Sequence, residues 1–219
     1  MTDAAPAAGP LKIDFIADVV CPWCYIGWER LKLALAQRPD VPVEVLWRPF
    51  QLDPAIPEEG VDRAGYMAAK FPNAERRAAA LEALDKEAAS VGLKLNLTDI
   101  PISPNTNAAH RLIRWAQTVG LQQAALEAIM KAYFVELRDI GDPVVLADIA
   151  EAIGMERQVV LKALAEGTDK DAVTREHYQA HQAGVSGVPF TIFGGKVAIS
   201  GADVPERLCK AIDRALEAA

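Results

Sequence analysis

Cysteine is scarce in this chain: three among 219 residues, at positions 21, 24 and 209. A fold stapled by disulfides needs more of them, spread along the sequence, so that class is excluded. No run of about 18 apolar residues occurs, so neither a spanning helix nor a membrane partner is expected. Basic residues are in the minority, with 23 Lys and Arg against 30 Asp and Glu and a net charge of −7. Phosphate backbones need a basic footprint, so nucleic acid is not an expected partner either. Histidine is as rare as cysteine, at positions 110, 177 and 181. A structural zinc site takes about four ligands, and one Cys-x-x-Cys pair supplies two. His177 and His181 share a helical face, but nothing in the sequence sets them near the cysteines, so no metal is expected. Residues 1–10 are rich in Ala and Pro and lack the basic start and apolar stretch of a secretory signal. They read as a loose N-terminal tail. With so few cysteines, two of them paired, the pattern points to redox work in the cytoplasm.

What is present is enough for a core: 51% hydrophobic and 24% charged residues. Leu11 to Asp18 alternates in part and ends apolar, as a strand covered on both faces does. Tyr25 to Gln37 has helical spacing, stopped by Pro39. Val41 to Trp47 is valine-rich and reads as a second strand. From Asp62 to Gly184 nearly everything reads as amphipathic helix, with Asn73 an N-cap, Pro143 in a first turn, and Gly92, Gly120 and Gly154 as stops. β character returns at Pro189 to Phe193. Gly194-Gly195 is a hairpin signal, Lys196 to Ser200 the return strand, and Val204 to Leu216 a last helix. The order is β–α–β, a helical insert, then β–β–α. The expected units are a tail at 1–10, an α/β domain in two pieces at 11–61 and 185–219, and an all-helical insertion at 62–184.

Cys21-Pro22-Trp23-Cys24 falls where the first strand hands over to the first helix. Leading helix N–H groups have no intrahelical partner and the dipole is positive there, so a thiolate is stabilised. The thiolate is the form that attacks disulfides. Cys21 is expected at the exposed helix tip as the attacking thiol. Cys24, one turn on and more buried, is the resolving partner. Pro22 fits the first turn, where its missing N–H costs nothing. Across from the pair, Val188-Pro189-Phe190 opens the C-terminal strand. Most X-Pro bonds are trans; a cis bond here would put the Val188 backbone beside Cys21, where an extended substrate could pair with it.

The segments FIADVVCPWCYIG at 15–27, WRPFQLDP at 47–54, PNTNAAHRL at 104–112, RDIGD at 138–142 and GVSGVPF at 184–190 run through most of the chain. In that order they resemble the DsbA-like family, and within it the FrnE-type proteins. The resemblance implies a thioredoxin-like fold interrupted by a helical domain, Cys21 and Cys24 as the redox pair, and Pro189 as a cis proline. The stretch at 105–111 is also similar to 2-hydroxychromene-2-carboxylate isomerases and kappa-class glutathione transferases. Those carry serine where Cys21 stands and use it to activate glutathione. Cysteine at both positions favours disulfide exchange, with the glutathione-dependent isomerase or transferase as the alternative. A zinc-holding or chaperone-like module is a third reading. Trp23 stands where DsbA has histidine and supplies no positive charge, so a less oxidising couple is expected. Thioredoxin-type proteins keep an acid six residues before the first cysteine; here that position is Phe15.

Asp18 is the nearest other carboxylate. It is expected as an N-cap or solvated loop residue, with the alternative that it accepts the proton of Cys24. His110 is expected as a packed core histidine, with the alternative that it lies over the redox site. Trp23, Phe190, Val188 and Pro189 are the expected substrate-binding residues, and Cys209 a small buried hydrophobe. The expected activity is thiol–disulfide oxidoreduction on protein disulfides or small-molecule thiols. No bound cofactor is expected, glutathione is a candidate co-substrate, and the chain is a monomer or a homodimer.

Overall fold

A computed structural model describes residues 9–218. Apart from Gly9 and Pro10, the N-terminal tail lies outside the described residues. The first strand, β1 (Leu11–Ala17), pairs in parallel with β2 (Val43–Pro49) and antiparallel with β5 (Phe190–Phe193), which pairs with β6 (Val197–Ser200). The sheet order is β2-β1-β5-β6. Residue alternation explains why β1 is central. Ile13 and Phe15 point into the main core, whereas Ile16 meets Phe50 and Val185 on the other face. The turn between β5 and β6 uses Gly194 and Gly195 at φ +58° and +68°, which side chains resist.

Helix α1 (Pro22–Ala36) connects β1 to β2 and packs beside the C-terminal helix α9 (Pro205–Glu217). Phe15 meets Trp28 edge to face at 5.6 Å, an arrangement contributing ~0.5–1.5 kcal/mol beyond area burial. Between β2 and β5 the chain forms β3 (Val61–Asp62), α2 (Arg63–Lys70), α3 (Ala74–Ala89), β4 (Ile102–Ser103), α4 (Asn107–Thr118), α5 (Gln122–Phe134), α6 (Pro143–Ala152), α7 (Arg157–Ala165) and α8 (Lys170–Gln182). The insertion is helical, as expected, apart from one two-residue ladder at its edge. Val61 and Asp62 pair antiparallel with Ser103 and Ile102, a ladder too short to leave a period-two signal in sequence.

The insertion is fastened to the sheet domain through partly buried polar contacts. Arg30 on α1 donates to Ala202 O at 2.7 Å and pairs with Glu87 on α3. The Trp28 indole N–H donates to Glu127 on α5 at 3.1 Å. Among the described residues no helix is long and apolar enough to cross a membrane.

Candidate active site

Helix α1 starts at Pro22, so Cys21 is its N-cap residue and Cys24 lies in the first turn. The Cys24 and Tyr25 N–H groups both donate to Cys21 O, at 3.0 and 3.2 Å. Cys21 is not at an exposed tip: only 5% of its surface is open, and it faces a cavity rather than bulk water. The cause is the insertion, whose α2 and α3 wall in the space in front of it. The Cys21 Sγ–H points at Val188 O, 3.8 Å away. The Val188–Pro189 bond is cis. Pro189 packs on α1 at Gly27, where an added Cβ would come within 2.9 Å of Pro189 Cγ. Close approach of that ring to the helix is what requires glycine here.

Cys24 is fully buried behind Cys21. Burial pushes its thiol well up from the ordinary value; the Cys21 sulfur and the Asp18 charge push the same way, against a hydrogen bond from the Asp18 backbone. Asp18 is 1% exposed, so it is neither a solvated loop residue nor a side-chain cap on α1. Its Oδ2 accepts the Leu52 N–H at 2.8 Å, and its Oδ1 lies 3.3 Å from His110 Nε2. The partners decide the histidine tautomer. The Trp47 indole N–H can only donate, and it meets His110 Nδ1 at 3.2 Å. The ring proton is thereby assigned to Nε2, which donates to Asp18 Oδ1 and to Phe50 O at 3.1 Å. His110 is buried, as a core histidine is, but its bonding is to the acid beside Cys24.

Residues 50–52, after β2, are held from several sides. Phe50 N–H donates to Ala17 O, and Gln51 N–H to His177 Nδ1, each at 3.0 Å. The Gln51 side-chain amide reaches Asn105 Oδ1 at 3.2 Å. His177 and His181 pack against Phe50 and not against the cysteines.

Trp23 and Val188 line the cavity. Phe190 does not: it packs against Ile16, Phe50 and Val185, because its place on β5 sends its side chain to the other face of the sheet. Cys209 is buried near Ala34 O and takes no part in the site. Arg63 and Tyr133 gave no signal in sequence, since each reaches the site from a separate helix by tertiary packing alone.

Residues 12–213 match the model of the DSBA-like thioredoxin domain. The chain belongs to that family. This member is 29% identical to a probable DsbA oxidoreductase from Streptomyces coelicolor, whose structure matches with a TM-score of 0.87 over 95% of this chain and 91% of that one. Two further solved structures share the fold. One is the cytosolic disulfide reductase DsbM from Pseudomonas aeruginosa with GSH: TM-score 0.63, 17% identity, 94% of this chain and 96% of that one. The other is a 2-hydroxychromene-2-carboxylate isomerase: TM-score 0.68, 19% identity, 94% of this chain and 97% of that one. In this DSBA-like chain the site holds two thiols, one buried acid and a large cavity among the described residues.

Proposed function

We propose that this DSBA-like protein is a thiol–disulfide oxidoreductase working through Cys21 and Cys24. The observation that carries the reading is the placement of the two sulfurs. Cys21 caps α1 on the cavity wall opposite Val188 O, and Cys24 is sealed behind it next to Asp18. In the reducing direction the Cys21 thiolate attacks a substrate sulfur, forming a mixed disulfide and expelling the first substrate thiol. Cys24 then attacks Cys21 Sγ, closing the Cys21–Cys24 disulfide and releasing the second. Because burial holds the proton on Cys24, that second step needs an acceptor, and we assign the part to Asp18, the buried carboxylate whose charge Cys24 feels. His110 and Leu52 position Asp18 by donating to its two oxygens. His110 is thus a positioning residue, itself set by Trp47. Cysteine at position 21, in place of a hydroxyl, supports exchange over glutathione-dependent isomerisation. The cytosolic description of DsbM supports placing this chain in the cytoplasm as well.

The test compares wild type, Cys21→Ser and Cys24→Ser in reduction of insulin and of bis(2-hydroxyethyl) disulfide. Cys21→Ser should lose turnover with every substrate the wild type accepts. Cys24→Ser should accumulate a mixed disulfide on Cys21, visible by mass. Equal turnover by wild type and Cys21→Ser would reject the reading.

A further inference from the structure

The cavity in front of Cys21 has a volume of about 770 Å³, well inside the ~300–1,000 Å³ of small-molecule sites. Much of its wall is hydrocarbon: Ile56, Met67, Phe71, Leu81, Leu84 and Leu97. Four cations share that wall, Arg63, Lys70, Arg76 and Arg77, against two acids, Asp18 and Asp53. Both Asp18 oxygens already accept protein donors, and Asp53 accepts the Tyr66 hydroxyl at 3.0 Å. A chain with net charge −7 has thus placed an excess of positive charge around its reactive sulfur.

Arg63 is the cation most committed to the cavity. It is half-buried at the start of α2. Its Nη1 donates to the Tyr133 hydroxyl at 2.9 Å and is 3.4 Å from Ser103 Oγ, and its guanidinium lies 5.7 Å from the Tyr133 ring centre. Among the described residues its side chain bonds these hydroxyls and no carboxylate. Guanidinium has donors to spare in a fork that fits a carboxylate.

We propose that the cavity takes a low-molecular-weight thiol or disulfide with an aliphatic body and a terminal carboxylate, the carboxylate being received by Arg63. This rests on the oxidoreductase reading above and narrows its substrate. A protein strand is a poor fit, because Cys21 is only 5% exposed and sits on the wall of a cavity rather than on the outer surface. Glutathione is a poor fit as well. It carries an ammonium, and the wall holds four cations against two acids that are both already bonded.

With a dithiol as substrate and the enzyme in its Cys21–Cys24 disulfide form, one substrate thiolate attacks Cys21 Sγ. The substrate–Cys21 bond forms, the Cys21–Cys24 bond breaks, and Cys24 leaves as a thiolate that takes a proton. The second substrate thiolate then attacks the substrate sulfur of the mixed disulfide and frees Cys21. Two electrons pass to the enzyme and the substrate leaves as a cyclic disulfide; the reverse sequence reduces it.

The probes are dihydrolipoate and dihydrolipoamide, which share carbon skeleton and thiols and differ in the terminal charge. Enzyme oxidised beforehand is mixed with each under anaerobic conditions, and its reduction is followed by tryptophan fluorescence. Wild type should react with dihydrolipoate about tenfold faster than with dihydrolipoamide, the worth of one charge-assisted contact. That preference should shrink at high salt. Arg63→Gln should bring the ratio close to one. Equal wild-type rates, or reduced glutathione outpacing dihydrolipoate, would overturn the proposal. So would an Arg63→Gln protein slowed alike with both probes, since loss of structure lowers both rates and spares the ratio. If no thiol reduces the Cys21–Cys24 disulfide, the oxidoreductase reading itself has failed, a different outcome from a missing charge preference.

Discussion

Exchanging Asp18 for asparagine keeps the side chain's size and removes one acceptor. The wild-type carboxylate accepts from Leu52 N–H at 2.8 Å and faces His110 Nε2–H at 3.3 Å. In Asp18→Asn, one of these N–H groups must meet the new NH₂ group instead. His110 cannot oblige by moving its proton to Nδ1, because the Trp47 indole N–H already points there at 3.2 Å. A buried donor left unmatched costs ~1–3 kcal/mol, and Phe50 O, which shares the Nε2 proton, relieves part of it. The kinetic consequence has two opposed parts. Loss of the Asp18 charge lets Cys24 ionise more readily, which by itself hastens its attack on Cys21. Loss of the proton acceptor slows the same step, and general bases contribute ~10²–10⁴-fold. The acceptor term is the larger, so resolution of the mixed disulfide should be about 100-fold slower. The assay starts from reduced protein mixed with a disulfide substrate. Samples are quenched in acid, and mixed and Cys21–Cys24 disulfides are counted by mass. A variant that resolves as fast as wild type, or faster, would leave Asp18 as a charge beside Cys24 and refute its part in proton transfer.

Two further outcomes follow from the same geometry. Gly27→Ala places a methyl 2.9 Å from Pro189 Cγ and 3.5 Å from Ala202, both tied to the sheet end of the molecule. Overpacking of this kind costs ~1–3 kcal/mol, and it should lower both the unfolding midpoint and the exchange rate; an unchanged midpoint would show that the contact is soft. The raised Cys24 thiol also makes stability depend on pH. Folded Cys24 holds its proton beyond the ordinary 9.0, so its contribution is fully present below that value and drains as pH climbs past it. Reduced wild type should therefore lose stability between neutral pH and alkaline pH more steeply than reduced Cys24→Ala. Denaturant unfolding at a series of pH values gives both slopes, and parallel slopes would contradict the buried thiol.

The cysteine pair was legible in sequence because its signal is local. Cys-Pro-Trp-Cys carries its own helix start, and Gly194-Gly195 its own turn. Asp18 and His110 were legible as residues but not as partners. Nothing in spacing relates two positions 92 apart, and burial, which decides between a solvated acid and a buried, bonded one, comes from elements later in the chain. Phe190 misled because an aromatic next to Pro189 looks close to the site, yet strand alternation sends it to the far face. The cavity left no trace at all. Arg63, Tyr66 and Leu81 read as ordinary members of amphipathic helices, and only the docking of α2 and α3 over α1 turns them towards one space.

β1 and β2 run side by side in strict parallel register, with Ala17 opposite Pro49. Asp18 and the 50–52 segment thus leave the sheet together, and Phe50 N–H continues the ladder onto Ala17 O. A slip of one residue between these strands would carry the Leu52 amide about 3.3 Å along the strand and invert every side chain beyond it. The acid would then lose its backbone donor whatever residues stood there. Helices α6 and α7 contribute nothing to the cavity wall, so gaining or losing a residue in the turn between them leaves the sulfur chemistry alone. Tolerance to changes in chain length is therefore expected to differ sharply along this molecule, nil between the first two strands and generous at the outer end of the insertion.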